Sequence, residues 1–531
     1  MSKRQGIALG AIVVVLLLAF GAYRLFSDHT TEQEELAAQA EEAAEEQEKV
    51  NTSAAKDITD EIVMAVDPWP GYYILFSDVQ RKKMKNSGCK ITVVEELDYK
   101  VRMQKLADGE FDMVVATVDS YVLNAAVHDF PGLIFMVIDE SKGGDAIVAL
   151  EKVGKSFNDF QGKDVVVGFT PYSPSHHLLK LAKDHFNVPE LLPAPGRFRV
   201  ETDGSEDALK KLLAGTVDVA VLWEPEVSRA LSTPGIVKIL GTEQTERYIV
   251  DILVVNIKWY NENQALTKKY LSNYFRSLKY YRDNPVELVQ ELVKETGLTK
   301  AQVEKMVQGV KWQTLSDNCL QWLGVSAPNE VSNEMLVEVI ESTTDVLIKS
   351  GDFDKNPLPN EDPYRIIHVE TLGELYNEFS NVGSKDSTVQ GNSLEQKFSE
   401  LSAQAWADLK PVGTLKVDQV VFSRSSPRLT YDGKLVVDDL VDKLKHYPNF
   451  RVKIVGHTNS DGDPELNKQL SVERSKAVVK YMTVTYSIDP NRFLSIGMGS
   501  AQPLKQEPTE SERAFKSRLS RVEFVLVKEE Y

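Results

Sequence analysis

Apolar positions first form one uninterrupted run near the start of the chain. Residues 6–23 contain no charged side chain, and Lys3 and Arg4 precede them. A run of this length crosses a bilayer when it is helical, and no cleavage site typical of a signal peptide follows it. We therefore predict a single uncleaved transmembrane helix over residues 6–26. Residues 1–5 would be a cytoplasmic tail, and the rest of the chain would lie outside.

The segment that follows the apolar run is polar and acidic. Residues 27–57 are rich in Glu, Ala and Gln, which favour helix, although like charges four residues apart oppose it. Large apolar residues are too few for a coiled-coil seam. This composition predicts a solvated, partly helical spacer.

Short β-branched runs alternate with helical stretches between residues 58 and 367. The predicted strands are EIVMAV, KITVVEE, FDMVVAT, LIFMVID, DVVVGF, FRVE, VDVAVLW and ILVVN. This alternation is typical of α/β architecture with largely parallel sheets. In open α/β sheets, ligands bind beyond the carboxyl ends of the strands. We therefore expect a binding cleft made of the loops that follow these strands.

Aromatic, hydroxyl and acidic residues occupy several of those loops. Trp69 and Tyr72 follow the first strand, and Trp223 and Glu224 follow VDVAVL. Hydroxyl groups gather in residues 170–175, just before an apolar helical run, where a helix N-terminus could bind an anion. An ordinary N-cap explains the same hydroxyls, and the tryptophans could equally be core residues. The coincidence of five such loops favours a ligand cleft.

Composition and charge exclude several classes of protein. The 531 residues exceed what one hydrophobic core can organise, so several domains are expected. A net charge of −18 argues against nucleic acid as a partner. Cys89 and Cys319 fit no metal-ligand spacing, and the sequence leaves open whether they form a disulfide. We expect neither a metal nor a cofactor.

Four motifs occur in order within residues 58–367: WPGY, LADGEFDMV with its counterpart LLAGTVDVAVLWEP, DESKGGDAIVA, and FQGKDVVVG. Together they resemble the periplasmic solute-binding proteins of ABC transporters for nitrate, sulfonates and taurine, including the thiamine-pyrimidine-synthase-like branch. The resemblance implies a two-lobed, type II-like module that closes on a small molecule by a hinge motion. The ligand-binding residues that it implies are Trp69, Tyr72, Ser120, Ser141, Ser173, Trp223, Glu224 and Asp251.

The same resemblance bears on the ligand and on catalysis. An anionic or zwitterionic ligand is expected. If Glu224 or Asp251 faces the ligand, its carboxylate would favour a cationic or amine-bearing group beside any anionic one. The cysteine-rich motif of the catalytic fungal branch is absent, and no nucleophile–base pair stands out. We therefore expect a binding protein and not an enzyme.

The strand alternation fades into a polar stretch after the predicted binding module. Residues 368–412 are predicted to be a linker that contains NVGSKDSTVQGNS and a short helix, SLEQKFSELSAQAWADL. Residues 413–531 then alternate strands and helices in the order VDQVVF, GKLVVDDLVDKLKHY, RVKIVGH, NKQLSVERSKAVVKYMTVTY, LSIGMGS and VEFVLV. This order predicts an α/β sandwich with helices on one face of a mixed sheet.

The segments IVGHTNSDG, LSVERSKAVVKYM, DPNRFLSIGMGSAQP and LSRVEF resemble the OmpA C-terminal family in order and spacing. The resemblance implies non-covalent binding of the diaminopimelate carboxylates in peptidoglycan stem peptides. The binding residues carried over are Thr458, Asn459, Asp461, Asn467, Arg474 and Arg521. The planar guanidinium of Arg474 suits a bidentate carboxylate contact. Asn459 stands where the family has an acid, and Asp461 could compensate.

These features together predict a single-pass protein of the inner membrane whose bulk lies in the periplasm. Its expected partners are the peptidoglycan stem peptide, a small ligand, the membrane and, as a further candidate, an ABC permease. An alternative remains, because the span, spacer and wall-binding domain also resemble the layout of flagellar-motor stator proteins. In that case the middle module would regulate anchoring, although residues 6–23 lack the aspartate of an ion-driven stator.

Overall fold

The computed structural model describes residues 58–326, 332–380, 396–423 and 426–528. The predicted tail, membrane helix and acidic spacer lie outside these residues, as does NVGSKDSTVQGNS. Within the described residues, no helix combines the length and the apolar character needed to cross a membrane. Cys89 and Cys319 are buried and are not joined to each other by a disulfide.

The described chain separates into two compact units. The small unit consists of residues 58–61 and 82–90, and the rest of the described chain forms the large unit. In the small unit the N–H groups of Thr59 and Asp60 donate to the Gly88 carbonyl, at 2.9 and 3.2 Å. An exposed ion pair between Lys90 and Glu61, at 2.9 Å, adds to these bonds.

A six-stranded sheet forms the framework of what we call lobe 1. Its strands are β1 (Asp60–Val66), β2 (Cys89–Glu95), β3 (Met113–Thr117), β4 (Gly132–Ser141), β10 (Val250–Asn256) and β11 (Val310–Trp312), in the spatial order β11-β4-β10-β3-β1-β2. Its helices are α1 (Asp78–Asn86), α2 (Tyr99–Asp108), α3 (Val118–Ala125), α7 (Ile257–Glu262), α8 (Gln264–Asp283), α9 (Pro285–Thr296), α10 (Lys300–Gln308), α11 (Met335–Lys349) and α12 (Glu370–Ser380). Helix α12 falls within residues 368–412, the predicted linker. Its apolar side chains Leu372 and Leu375 are buried, so this helix is part of the folded lobe and not of a linker.

A five-stranded sheet forms lobe 2. Its strands are β5 (Asp145–Leu150), β6 (Val167–Phe169), β7 (Arg199–Glu201), β8 (Val219–Trp223) and β9 (Ile236–Gly241), in the order β7-β6-β8-β5-β9. Its helices are α4 (Pro174–Phe186), α5 (Gly204–Leu213) and α6 (Glu226–Leu231). The motif segment DAIVA belongs to strand β5, which pairs on both sides.

The expectation of largely parallel sheets is wrong for both lobes. In lobe 1, β10 runs antiparallel to β3 and to β4, and in lobe 2, β5 runs antiparallel to β8 and to β9. The chain leaves lobe 1 along β4 and returns along β10, and it enters and leaves lobe 2 along β5 and β9. Because each outgoing strand lies beside the returning one, these neighbours must run in opposite directions.

The C-terminal domain is an α/β sandwich on a mixed four-stranded sheet, as the sequence predicts. Its strands are β12 (Lys410–Leu415), β13 (Arg451–His457), β14 (Phe493–Gly499) and β15 (Val522–Lys528), in the order β12-β15-β13-β14. Its helices are α13 (Ala403–Asp408), α14 (Tyr431–Lys445), α15 (Pro464–Tyr486) and α16 (Glu512–Leu519). Strands β13 and β14 run parallel, whereas β15 runs antiparallel to β12 and β13.

The first strand of this domain differs from the predicted one. VDQVVF is not a strand, and Phe422 forms only an isolated bridge with Leu429. Strand β12 lies earlier, across the end of the predicted linker, and carries Pro411 and Gly413. These residues weaken a strand signal in the sequence, but an edge strand tolerates proline because one side of it makes no ladder hydrogen bonds. The domain therefore begins before residue 413.

Alternating residues of β15 separate the two faces of this sheet. Val522, Phe524 and Leu526 belong to the core formed with α14 and α15. Val527 faces the other way and is buried with Trp406, on α13. This period of two is the pattern expected of a strand covered on both faces.

The hydrophobic core of lobe 2 continues into the C-terminal domain. Phe157 and Phe186 of lobe 2 are buried in the same cluster as Val412 and Leu415 of β12. A side chain at Gly413 would overlap the Phe186 ring, so close contact of the two domains requires glycine there. The backbone N–H of Lys416 donates to the His185 carbonyl at 2.6 Å. Lobe 2 and the C-terminal domain thus share one core.

A group that we call the tyrosine–histidine cluster lies in this shared core. The Nδ1 atom of His185 lies 2.8 Å from the hydroxyl groups of both Tyr248 and Tyr447, and Tyr248 donates to Tyr447. His446 accepts from the N–H of Glu246 through its carbonyl, at 3.0 Å. Burial lowers the pKa of His446 to about 4, so the interface contains neutral imidazole at neutral pH. Tyr248 belongs to the segment that returns the chain from lobe 2 to lobe 1.

Candidate functional site

A narrow cavity of about 20 Å³ lies between lobe 1 and lobe 2. This volume accommodates roughly one water molecule, so the lobes must separate to admit a larger ligand. The residues that line the cavity are Asp67, Trp69, Tyr72, Tyr99, Thr117, Asp145, Pro174, Trp223, Ile249 and Asp251. We call this site the interlobe cleft.

Strand ends explain why these residues meet. Asp67, Thr117 and Trp223 lie at or just beyond the carboxyl ends of β1, β3 and β8. Asp145 and Asp251 lie near the amino ends of β5 and β10. Because β5 and β10 run antiparallel to their neighbours, their amino ends lie at the same sheet edges as the carboxyl ends of the others.

Four of the eight residues predicted to bind ligand line the cleft, namely Trp69, Tyr72, Trp223 and Asp251. The other four, Ser120, Ser141, Ser173 and Glu224, do not line it and have protein partners. The structure therefore brings together the three aromatic residues of the predicted site and one of its two acids. Ligand contact by the other four stays a prediction.

The contacts of those four residues are local. The Ser120 hydroxyl donates to the Thr117 carbonyl at 3.0 Å and caps α3. The Ser141 hydroxyl donates to the Asp145 carboxylate at 2.6 Å. The Ser173 hydroxyl caps α4 by accepting from the Ser175 N–H at 3.2 Å. The Glu224 carboxylate accepts from the Ser228 hydroxyl at 2.8 Å, within lobe 2.

Trp69 is held in place by polar and steric contacts. Its indole N–H donates to the Asp139 carboxylate at 3.2 Å. A side chain at Gly144 would overlap the Trp69 ring, and one at Gly71 would overlap the Asp139 carboxylate. Glycine at both positions therefore lets the backbone approach this pair closely. The Trp69 ring is fixed at the cleft before any ligand arrives.

Asp67 is compensated by the protein itself. Its carboxylate lies 3.1 Å from the guanidinium of Arg102, and both side chains are buried. It also accepts from the Tyr99 hydroxyl at 3.3 Å and from the backbone N–H of Trp69 at 3.1 Å. These bonds satisfy a buried charge that would otherwise be costly. Asp67 therefore organises the cleft without leaving an unbalanced charge in it.

Asp251 is only partly satisfied. Tyr72 donates its hydroxyl to Oδ1 of Asp251, whereas Oδ2 is buried and no N–H group donates to it among the described residues. Asp139 lies directly opposite Asp251 in the pairing of β4 with β10. Burial, followed by the charge of Asp139, holds the pKa of Asp251 well above its usual range. Burial likewise raises the pKa of Asp139 to about 8 and that of Asp145 to about 7.

A second cavity, of about 340 Å³, opens on the C-terminal domain. Its walls come from the loop before α14, the loop after β13, helix α15, and helix α16 with the residues that follow it. The lining residues are Gln419, Val420, Val421, Phe422, Asn459, Arg474, Arg513, Lys516, Ser517, Ser520 and Arg521. We call this site the basic pocket, since four of its side chains are cationic.

The guanidinium of Arg474 lies at the centre of the contacts around the basic pocket. It donates to the Ser520 hydroxyl at 3.0 Å and to the Ser426 carbonyl at 3.3 Å, and it lies 5.0 Å above the Phe422 ring. Arg521, also predicted, donates to the Glu523 carboxylate at 2.7 Å. Neutral partners hold Arg474, so its charge remains available to an anionic ligand.

Asp461 contacts the basic pocket without lining it. The amide of Asn459 donates to the Asp461 carboxylate at 3.1 Å, and Lys516 lies 3.2 Å from the same group. Asn467 donates to the Asp461 carbonyl at 2.9 Å. Thr458 is buried behind these residues, and its N–H donates to the Gly499 carbonyl at 2.9 Å. The structure thus brings Asn459, Arg474 and Arg521 to the pocket and places the other three predicted residues around it.

Sequence comparisons match a short part of the chain to known proteins. Residues 421–517 match the model of the OmpA family. Outer membrane protein Omp38 of Acinetobacter baumannii is 29% identical over 101 residues, which are 19% of this chain and 28% of Omp38. Peptidoglycan-binding protein ArfA of Mycobacterium tuberculosis is 35% identical over 91 residues, which are 17% of this chain and 27% of ArfA. The chain therefore spans less than a third of either relative.

The chain is also similar to solved structures. Among them is the periplasmic aliphatic sulphonate binding protein SsuA from Escherichia coli, with 15% identity and a TM-score of 0.45. The similarity covers 58% of this chain and 98% of SsuA. The segment that matches the OmpA family model lies in the domain that has the mixed sheet and contains Arg474. The chain therefore carries a C-terminal domain of the OmpA family.

Proposed function

We propose that this chain is a periplasmic solute-binding protein attached non-covalently to peptidoglycan, and that it is not an enzyme. The observation that carries the proposal is the presence, on one chain, of two different pockets. The interlobe cleft has the position and the aromatic lining of a small-molecule site. The basic pocket presents Arg474 in a domain of the OmpA family.

The basic pocket is the part that we assign to the cell wall. Stem peptides offer carboxylates, and a guanidinium held by neutral partners is suited to bind them in a bidentate manner. The similarity to ArfA, which is named a peptidoglycan-binding protein, supports the assignment for the matching segment. Asp461 contacts Asn459 and stands close enough to offer a carboxylate in place of the missing family acid.

The remaining parts of the proposal rest on the sequence. The apolar run over residues 6–23 after Lys3 and Arg4 supports a single-pass anchor in the inner membrane, with the pockets in the periplasm. A tethered receptor of this kind would deliver its ligand to an ABC permease or report its presence as a sensor. Cell fractionation and protease access in spheroplasts would test this placement.

Co-sedimentation with purified sacculi tests the wall-binding part of the proposal. The full chain is expected to sediment with the sacculi, and a soluble stem peptide containing diaminopimelate is expected to release it. A chain that stays in the supernatant at low ionic strength would contradict the proposal. Sacculi treated to remove stem peptides serve as the control and should retain no protein.

A second candidate function is a structural tether of the stator-like kind. The shared core of lobe 2 and the C-terminal domain favours it, because this contact joins the two-lobed module firmly to the wall-binding domain. A tether needs no ligand, whereas a receptor does. Ligand-dependent stabilisation of the full chain would therefore favour the receptor, and its absence would favour the tether.

A further inference from the structure

We infer that the interlobe cleft binds a small organic ligand through a cationic nitrogen group. This group would lie against the carboxylates of Asp251 and Asp145 and against the aromatic side chains of the cleft. The inference rests on the proposed function, since it names the chemical class of the solute. It also narrows the expectation of an anionic or zwitterionic ligand, because any anionic part must be accompanied by a cationic one.

The charges that line the cleft are of one sign. Asp67, Asp145 and Asp251 line it, and no Lys, Arg or His is among the lining residues. Arg102 matches the charge of Asp67, at 3.1 Å. Neither Asp145 nor Asp251 forms an ion pair with a basic residue in the described part of the chain. A nitrate or sulfonate group in this cleft would meet carboxyl groups that lack a cationic partner, whereas a cation would favour their ionised form and pair with it.

The strongest local observation is the unsatisfied oxygen of Asp251. This residue is 2% exposed and lines the cleft, and no N–H group donates to its Oδ2 within the described residues. Its side chain can bond to that of Asp139 only while one of the two carboxyl groups is protonated. Across the sheet it faces another carboxyl group, that of Asp139. A buried polar atom without a partner destabilises the protein by its full desolvation penalty. A ligand N–H or ammonium group supplies the missing partner.

Aromatic side chains complete the recognition of a cation. Trp69, Tyr72, Tyr99 and Trp223 line the same cleft as the carboxylates. The negative face of an aromatic ring attracts a cation, and indole does so most strongly. Trp69 is already fixed by its bond to Asp139. The combination of rings and carboxylates selects for a cation that is both charged and partly apolar.

A metal ion does not fit the same observations. In the part of the chain that the structure describes, no group of three or more His, Cys, Asp or Glu side chains is arranged to hold one. A metal site also gains nothing from four aromatic neighbours, because hard cations prefer a shell of oxygen ligands. The ligand that the cleft selects is therefore an organic cation.

Thermal shift and calorimetry on the full chain at pH 8 test this inference. The cationic probes are choline and benzamidine. Their matched neutral controls are 3,3-dimethylbutan-1-ol and benzamide, and the anionic probes are nitrate and benzenesulfonate. We expect a saturable rise in Tm with at least one cation, and no saturable rise with the matched neutral molecules or the anions.

Asp251→Asn tests the residue itself. The amide keeps the acceptor for Tyr72 and gains a donor towards Asp139, so the variant should fold. We expect cation affinity to fall about 30-fold or more, because one buried charge of the bound pair is lost. We also expect the Tm without ligand to rise, because two facing carboxyl groups become one. A purely structural role for Asp251 predicts a lower Tm instead.

The matched control is Asp164→Asn in lobe 2. Asp164 is an exposed carboxylate that pairs with Arg197 at 3.3 Å, and its change should alter neither the Tm nor cation binding. A saturable shift with nitrate or benzenesulfonate, and none with the cations, would overturn the cationic class and leave the receptor intact. No shift with any of the six molecules would overturn both the class and the receptor.

Discussion

The interlobe cleft and the basic pocket differ in charge, in depth and in how their charges are compensated. The cleft is narrow and places acidic groups among buried aromatic rings. The basic pocket is wider, and its cations range from the exposed Arg513 to the half-buried Arg474. The same chain therefore presents a buried anionic site and an open cationic one.

This difference predicts which condition controls each site. A buried carboxyl group changes its protonation before it tolerates an unbalanced charge, so its pKa rises. An exposed guanidinium keeps its proton, and salt weakens it by screening. The cleft should therefore respond to pH and the basic pocket to ionic strength. Four predictions test this contrast.

The largest effect is expected from Arg474→Ala. Removing the guanidinium eliminates the main carboxylate contact of the basic pocket, so retention on sacculi should weaken about 30-fold. A binding isotherm with purified sacculi measures it. Arg197→Ala, which removes an exposed arginine of lobe 2, should bind like the original chain. Equal retention by the two variants would show that Arg474 does not contact peptidoglycan.

The second effect is the pH dependence of the cleft. The relevant groups are Asp139, Asp145, Asp251, Asp119, Tyr72, the ion pair of Asp67 with Arg102, and Glu140 with its partners Lys142 and Lys311. Burial raises the pKa of Asp145 to about 7 and that of Asp139 to about 8, so both are protonated below those values. A bound cation requires the ionised form.

Cation affinity should accordingly rise about tenfold between pH 6 and pH 8, because binding then releases up to one proton per group. The sign for stability is opposite. Since the folded pKa values exceed the unfolded ones, the free energy of unfolding without ligand should decrease as pH rises through the same range. Calorimetry at several pH values measures the first effect, and urea titration measures the second. Affinity that is constant with pH would contradict the assignment of these carboxyl groups.

The third effect is the response to salt. Raising NaCl from 0.05 to 0.5 M should weaken retention on sacculi about fivefold, because screening acts on the exposed cations. Cation binding in the cleft should change less than about twofold, since a buried pair is screened much less. Parallel titrations of one preparation give both numbers. An equal loss of affinity at both sites would contradict the claim that the charges of the cleft are shielded from salt and those of the basic pocket are not.

The smallest effect is expected from Asn459→Asp. The variant restores the acid that the OmpA family has at this position and offers a carboxylate to an ammonium group of the stem peptide. A solvent-exposed pair contributes little, so affinity for a soluble stem peptide should rise about two- to fivefold. Asn449→Asp, which adds the same charge at an exposed position that does not line the pocket, is the control. Weaker binding by Asn459→Asp would indicate that Asp461 already fills this role.

The sequence predicts the cleft in part, for a reason that the sheets make clear. Trp69 and Trp223 follow carboxyl ends of strands, where the rule for α/β sheets looks for ligand residues. Asp145 lies four residues after the carboxyl end of β4, but it is also the first residue of β5, a strand that runs antiparallel to its neighbours. Two adjacent glycines before it also favour interpretation as a loop. No local pattern in the sequence reveals the reversed direction of a strand.

The basic pocket shows a similar division. Arg474 and Arg521 belong to motifs that resemble the OmpA family, and both line the pocket. Arg513 and Lys516 also line it, but they lie on α16, a short helix whose sequence carries few apolar positions to predict it. The periodicity that predicts α14 and α15 comes from burial, which α16 largely lacks. Residues on such helices are found only once the fold is known.

The tyrosine–histidine cluster fixes a frame of reference for any movement of the lobes. Tyr248 contacts Tyr447 of the C-terminal domain and His185 of lobe 2, and these two parts share one core. A domain held by the wall would therefore keep lobe 2 stationary. Closure on a ligand would then appear as a displacement of lobe 1 alone. Ligand binding would then change the position of lobe 1 relative to the cell wall.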